Sequence, residues 1–128
     1  MSVEVLLVED NRSDTLLIKN AAQEFSPDVR ITVVKDAETA VALLFDPGFN
    51  PRLVITGMDM PNRVGDELLK RAEAKGVPVV VFGSALNPGE VADVLKAGVR
   101  EYVPKPIGWE EFRDAVVGIF SRWVQRSS

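Results

Sequence analysis

Apolar residues fall along this chain in two alternating rhythms. Short, nearly unbroken apolar runs rich in valine and isoleucine alternate with longer stretches in which apolar residues return every three or four positions. The first rhythm belongs to a strand buried on both faces, the second to a helix with one buried stripe. The runs predict strands over Val3–Val8, Val29–Val34, Leu53–Gly57, Pro78–Phe82 and Glu101–Val103. The intervals predict helices over about Arg12–Phe25, from Ala37 through Leu44, over about Val64–Lys75, from Asn87 to Gly98, and over about Trp109–Gln125. In the first helix Leu16, Leu17, Ala21 and Phe25 recur at helical spacing; in the second Ala37, Ala40, Val41 and Leu44 share a face.

The punctuation between these runs agrees with them. Asn11 or Ser13 can cap the first helix and Asp36 the second, while Asp46-Pro47-Gly48 breaks the second. Gly76 is placed to stop the third helix. Asn87-Pro88-Gly89-Glu90 is a helix start with a cap residue, proline at the first helical position and glutamate at the third. Strand and helix alternate five times across residues 1–128, with short connections and no repeat or linker, which predicts one domain. Parallel neighbours need right-handed crossovers, so the alternation predicts a parallel sheet with helices on both faces. The flavodoxin-like strand order 2-1-3-4-5 suits five strands and opens a crevice between the carboxyl ends of strands 1 and 3. That order gathers Glu9, Asp10, Gly57 and Asp59, with Gly83, Ser84 and Lys105 on the far side.

Composition narrows the chemistry. The chain has 128 residues, 46% hydrophobic and 27% charged, an ordinary balance for one domain with a core. There is no cysteine or histidine, which excludes disulfides, thiol chemistry, the common zinc sites and a histidine-based triad. A net charge of −4 argues against a nucleic-acid surface. No apolar run approaches ~20 residues, and the amino-terminal run lacks the basic flank of a signal peptide. A cytoplasmic protein without a membrane span is the expectation. No GxGxxG or GxxxxGK cradle is present for a nucleotide or flavin phosphate, which disfavours a cofactor-binding flavodoxin-like enzyme.

The motifs VLLVEDN after the first strand, MDMP after the third and EYVPKP after the fifth, in that order and spacing, resemble the receiver domain of two-component response regulators, and the resemblance covers the whole chain. It implies an aspartate ending strand 3 that becomes an aspartyl phosphate, an acidic pair after strand 1 that helps hold Mg2+, a hydroxyl residue ending strand 4, and a lysine before a proline. Glu9 and Asp10 match the acidic pair, and Lys105-Pro106 match the lysine and its proline. The nucleophile position is Gly57, which has no carboxylate, and the hydroxyl position aligns with Gly83, with Ser84 one residue on. The resemblance thus predicts a non-enzymatic pseudo-receiver that signals by binding; a phosphorelay receiver using the displaced Asp59 with Mg2+ is the alternative.

Three carboxylates in one crevice must bind a cation, pair with Lys105 or hold a proton. Glu9, Asp10 and Asp59 are therefore a candidate weak Mg2+ site, and a metal-free lysine pair is its alternative. Asp59 also suits a turn on its own account, through bonds to its own backbone. Tyr102 matches the aromatic that rotates in activated receivers, and with no phosphoryl trigger a fixed rotamer is expected. The last helix carries an apolar arc of roughly 200° at ~100° per residue, wider than one core-facing stripe needs. Either the preceding helix covers the surplus or it forms a contact, with Phe120 and Trp123 near it, for a kinase, an output protein or a second copy of the chain.

Overall fold

The computed structural model describes residues 2–57, 63–84 and 87–124. Strands β1 (Val3–Val8), β2 (Val29–Val34), β3 (Leu53–Thr56), β4 (Val79–Gly83) and β5 (Glu101–Pro104) alternate with helices α1 (Arg12–Phe25), α2 (Ala37–Phe45), α3 (Arg63–Ala74), α4 (Pro88–Ala97) and α5 (Trp109–Trp123). All strand pairs are parallel, in the order β2-β1-β3-β4-β5. This is the expected flavodoxin-like arrangement.

The alternating side chains of the strands supply two cores. Val5 and Leu7 of β1 join Ile55, Val80 and Phe82 on one face, where Ile18, Phe25, Phe112 and Phe120 of α1 and α5 cover them. Leu6 and Val8 point the other way and join Val54 and Val81 under Ala40, Leu44, Leu68 and Val94 of α2, α3 and α4. Both faces of β1 are dry, which is why its apolar run does not alternate. Each fully buried Leu, Ile or Phe contributes about 1.5–3 kcal/mol relative to exposure.

The caps act where the sequence places them. Asn11 Oδ1 accepts the Asp14 N–H at the start of α1, Asp36 Oδ1 that of Thr39 at α2, and Asn87 Oδ1 that of Glu90 at α4. The Asn87 Nδ2 donates back to Glu90 Oε1, completing a reciprocal cap. Gly76 (φ 72°) and Gly98 (φ 120°) end α3 and α4 in the left-handed region.

Several boundaries and one face differ from the reading. β3 stops at Thr56, although the Gly57 N–H still donates to Val8 O at 2.9 Å; β4 begins and ends one residue later than expected, and β5 runs one residue further. The buried stripe of α1 is Ile18, Ala21, Ala22 and Phe25, an i, i+3, i+4, i+7 set, and it leaves Leu16 exposed on the opposite side. α5 closes at Trp123, where the Val124 N–H caps onto Phe120 O; Gln125 lies outside the described residues. Among the described residues no helix is long and apolar enough to cross a membrane.

Candidate functional site

The carboxyl ends of β1, β3, β4 and β5 converge. Gly57 follows β3 directly and is half-buried, and its backbone is not in the left-handed region. Glu9 follows β1, with its N–H on Val34 O, and is only 6% exposed. Lys105 follows β5, with its N–H on Gly83 O. A ladder bond thus fixes the backbone of each of the three, so the side chains at 9 and 105 meet by topology.

Their contacts form a closed ring. The Lys105 ammonium donates to Glu9 Oε1, and to Asp14 Oδ2 at 2.8 Å. Glu9 Oε2 accepts the Asn11 N–H at 3.2 Å, and Asn11 Oδ1 accepts the Asp14 N–H at 3.0 Å. Burial is the largest single influence on Lys105 and lowers its pKa. The hydrogen bonds to Asp14 and Glu9, together with their charges, outweigh it, and the net result lies above the ordinary lysine value of 10.5.

Gly57 lies against this ring. A Cβ built on Gly57 would lie 2.5 Å from Glu9 Oε1 and 3.1 Å from its Cδ. Glu9 therefore fills the space where any side chain at 57 would begin. Gly83 faces the same place from β4: a Cβ there would lie 3.5 Å from Gly57 O, an ordinary contact. Ser84, one residue on, is exposed.

The sequence-predicted residues divide accordingly. Glu9, Gly57, Gly83 and Lys105 come together, whereas Asp10 is exposed and, among the described residues, enters no ion pair. Asp59 lies outside the described residues. Asp14 is the member that motif reading missed. Its signal was its spacing, three residues past the cap Asn11, which puts it in the first turn of α1 beside the crevice. Tyr102 is half-buried on β5 and packs against the α2–α3–α4 core.

The expected contact on α5 needs correction. Phe120 is fully buried and stacks on Phe25 of α1, with ring centroids 5.8 Å apart, and so presents nothing to a partner. The surplus apolar arc is covered by α1, not by the preceding helix, because the strand order sets α1 and α5 on the same face of the sheet. Trp123 is half-buried, and its indole N–H donates to Glu101 Oε1 at 2.7 Å.

Mg2+ strongly favours six oxygens in near-octahedral geometry. Gly57 offers no carboxylate, and both Glu9 oxygens are engaged by Lys105 and Asn11. Among the described residues no three acidic groups lie close enough together to hold a metal ion. With Lys105 in place, the described donor set does not fit a divalent cation.

A doubly wound parallel sheet with charged groups gathered at its carboxyl edge defines a flavodoxin-like fold with its candidate site at the strand ends. The family model of the response regulator receiver domain matches residues 5–117, and the chain belongs to that family. Response regulator Rcp1 of Synechocystis is 26% identical over 130 residues, spanning 94% of this chain and 88% of Rcp1. Two-component response regulator ORR3 of Oryza sativa subsp. indica is 32% identical over 107 residues, spanning 80% of this chain and 79% of ORR3. The crystal structure of the Mn2+-bound form of Rcp1 superposes with a TM-score of 0.80 at 25% identity, over 98% of this chain and 97% of that one. The chain is a receiver module of two-component signalling.

Proposed function

We propose that this receiver works without aspartyl phosphorylation, as a non-enzymatic protein-interaction module in the cytoplasm whose signal is the binding of a kinase, an output protein or a second copy of the chain. One observation carries the reading. The carboxylate of Glu9, held by Lys105, occupies the space beside Gly57 where a nucleophilic side chain would start. Glycine at that position has no atom that can accept a phosphoryl group, and Gly83 has no hydroxyl to steady one. The net charge of −4 supports a protein partner over nucleic acid.

Rcp1 has an Mn2+-bound form. In this chain any Mg2+ binding through Glu9, Asp10 and Asp59 is weak, because the ammonium of Lys105 already serves Glu9. The test is incubation with acetyl phosphate and Mg2+ followed by intact-mass measurement. No phosphoryl adduct is expected. An adduct would favour the reading in which Asp59 is a displaced acceptor.

A further inference from the structure

Lys105 joins the β1–α1 segment to the ends of β4 and β5, which are far from it in sequence. Its ammonium bonds Glu9 at the end of β1 and Asp14 in the first turn of α1, while its own backbone is tied to the end of β4 through Gly83 O. Glu9 in turn holds the Asn11 N–H, so the cap of α1 is part of the same unit. With Gly57 carrying no side chain, the ammonium is the cation that neutralises the buried Glu9. A divalent ion that approached Glu9 would meet that ammonium within a few ångströms. At such separations the two like charges repel, and the double charge of the metal ion doubles the effect.

We propose that Lys105 is the resident counter-ion of this crevice: a clasp that takes the electrostatic place of a divalent metal, competes with it for Glu9, and keeps the β1–α1 and β5–α5 loops joined whether or not magnesium is present. The inference rests on the non-phosphorylated reading of Gly57 and adds the reason the crevice needs no metal. Asp14 belongs to the clasp because it gives the ammonium a second anchor on α1, which a pair with Glu9 alone would lack.

The test is calorimetric titration of Mg2+ into the whole chain as wild type, Lys105→Met, and Lys105→Met with Glu9→Gln. Removing the ammonium is expected to tighten Mg2+ binding by about tenfold or more. The double variant is expected to return to the weakness of the wild type, since the freed carboxylate is then gone. Equal affinity in wild type and Lys105→Met, or a gain that survives Glu9→Gln, would overturn the clasp. If Lys105→Met is unfolded without metal, magnesium is expected to restore its helical circular dichroism; failure to do so also counts against the proposal. Phosphoryl uptake by the wild type would overturn the reading of Gly57 while leaving the magnesium comparison as it stands. An unchanged magnesium affinity would sink the clasp alone.

Discussion

Glu9 and Gly57 are complementary: the Glu9 carboxylate stands 2.5 Å from where the first side-chain atom of residue 57 would be. An aspartate at 57 therefore requires Glu9 to move. The obstacle is the far end of a flexible side chain, and the backbone of Gly57 is not in the left-handed region. Gly57→Asp should fold. Its added carboxylate crowds Glu9, whose ammonium is already shared with Asp14, so the variant should be less stable without metal. Magnesium should raise its melting temperature, by the mass action of a ligand bound only to the folded state, and leave the wild type nearly unchanged. An equal shift in both proteins would contradict the crowding inferred at Glu9.

The Lys105 clasp has a signature at high pH. The folded ammonium holds its proton more tightly than the unfolded one, so its contribution to stability is complete below the ordinary value of 10.5. It disappears as pH rises through the higher folded value. Asp14→Asn should cost about 0.5–1.5 kcal/mol in urea unfolding at neutral pH, as the partly exposed charged hydrogen bond is weakened. The gap between wild type and variant should close once Lys105 is neutral. A gap that stays constant through that range would remove Asp14 from the clasp.

Asp36 gives the opposite signature. The N–H of Thr39, and then its hydroxyl, hold the Asp36 carboxylate below its ordinary value of 3.8. Its stabilisation of α2 is present above that value and fades as pH falls through the lower folded one. Asp36→Ala should therefore be less stable than wild type at neutral pH and should converge with it in acid. Acid-unfolding curves of the two proteins test this, and parallel curves would contradict it.

Phe120 and Trp123 should separate in their effects. Phe120→Ala removes a fully buried ring stacked on Phe25 and should cost about 3–5 kcal/mol without a specific effect on association. Trp123→Ala, at a half-buried position, is the variant expected to weaken any self-association seen by sedimentation. A folded Phe120→Ala protein that loses association while Trp123→Ala keeps it would reverse this assignment.

Much of this was legible along the chain. The limits of β1, α1 and β2 coincide with the apolar rhythm, and Asn11, Asp36 and Asn87 cap as their residue types suggest. Leu16 misled because neighbouring leucines lie about 100° apart around a helix and cannot both face the core; only packing against β1 and α5 selects the stripe through Ile18 and Ala22. The width of α5 was visible, but its cover was not, because α1 reaches it through strand order and not through sequence proximity. Gly57, Glu9 and Lys105 were recognisable as one group. That Lys105 divides itself between Glu9 and Asp14, and leaves Asp10 exposed, depends on side-chain reach across a crevice, which spacing does not encode.

Trapping acyl phosphates with borohydride after treatment with acetyl phosphate and magnesium, then mapping the reduced residues by peptide mass, tests the proposed phosphate-independent signalling most directly. The wild type should yield no reduced aspartate. Gly57→Asp combined with Gly83→Thr should yield one at 57, and faster than Gly57→Asp alone, because a preorganised donor to the phosphoryl oxygen is worth on the order of 3 kcal/mol in the transition state. The room beside Gly83 accepts a β-carbon, at 3.5 Å from Gly57 O. A reduced residue at Asp59 or Asp10 in the wild type would contradict the reading of this receiver as one that signals without phosphate.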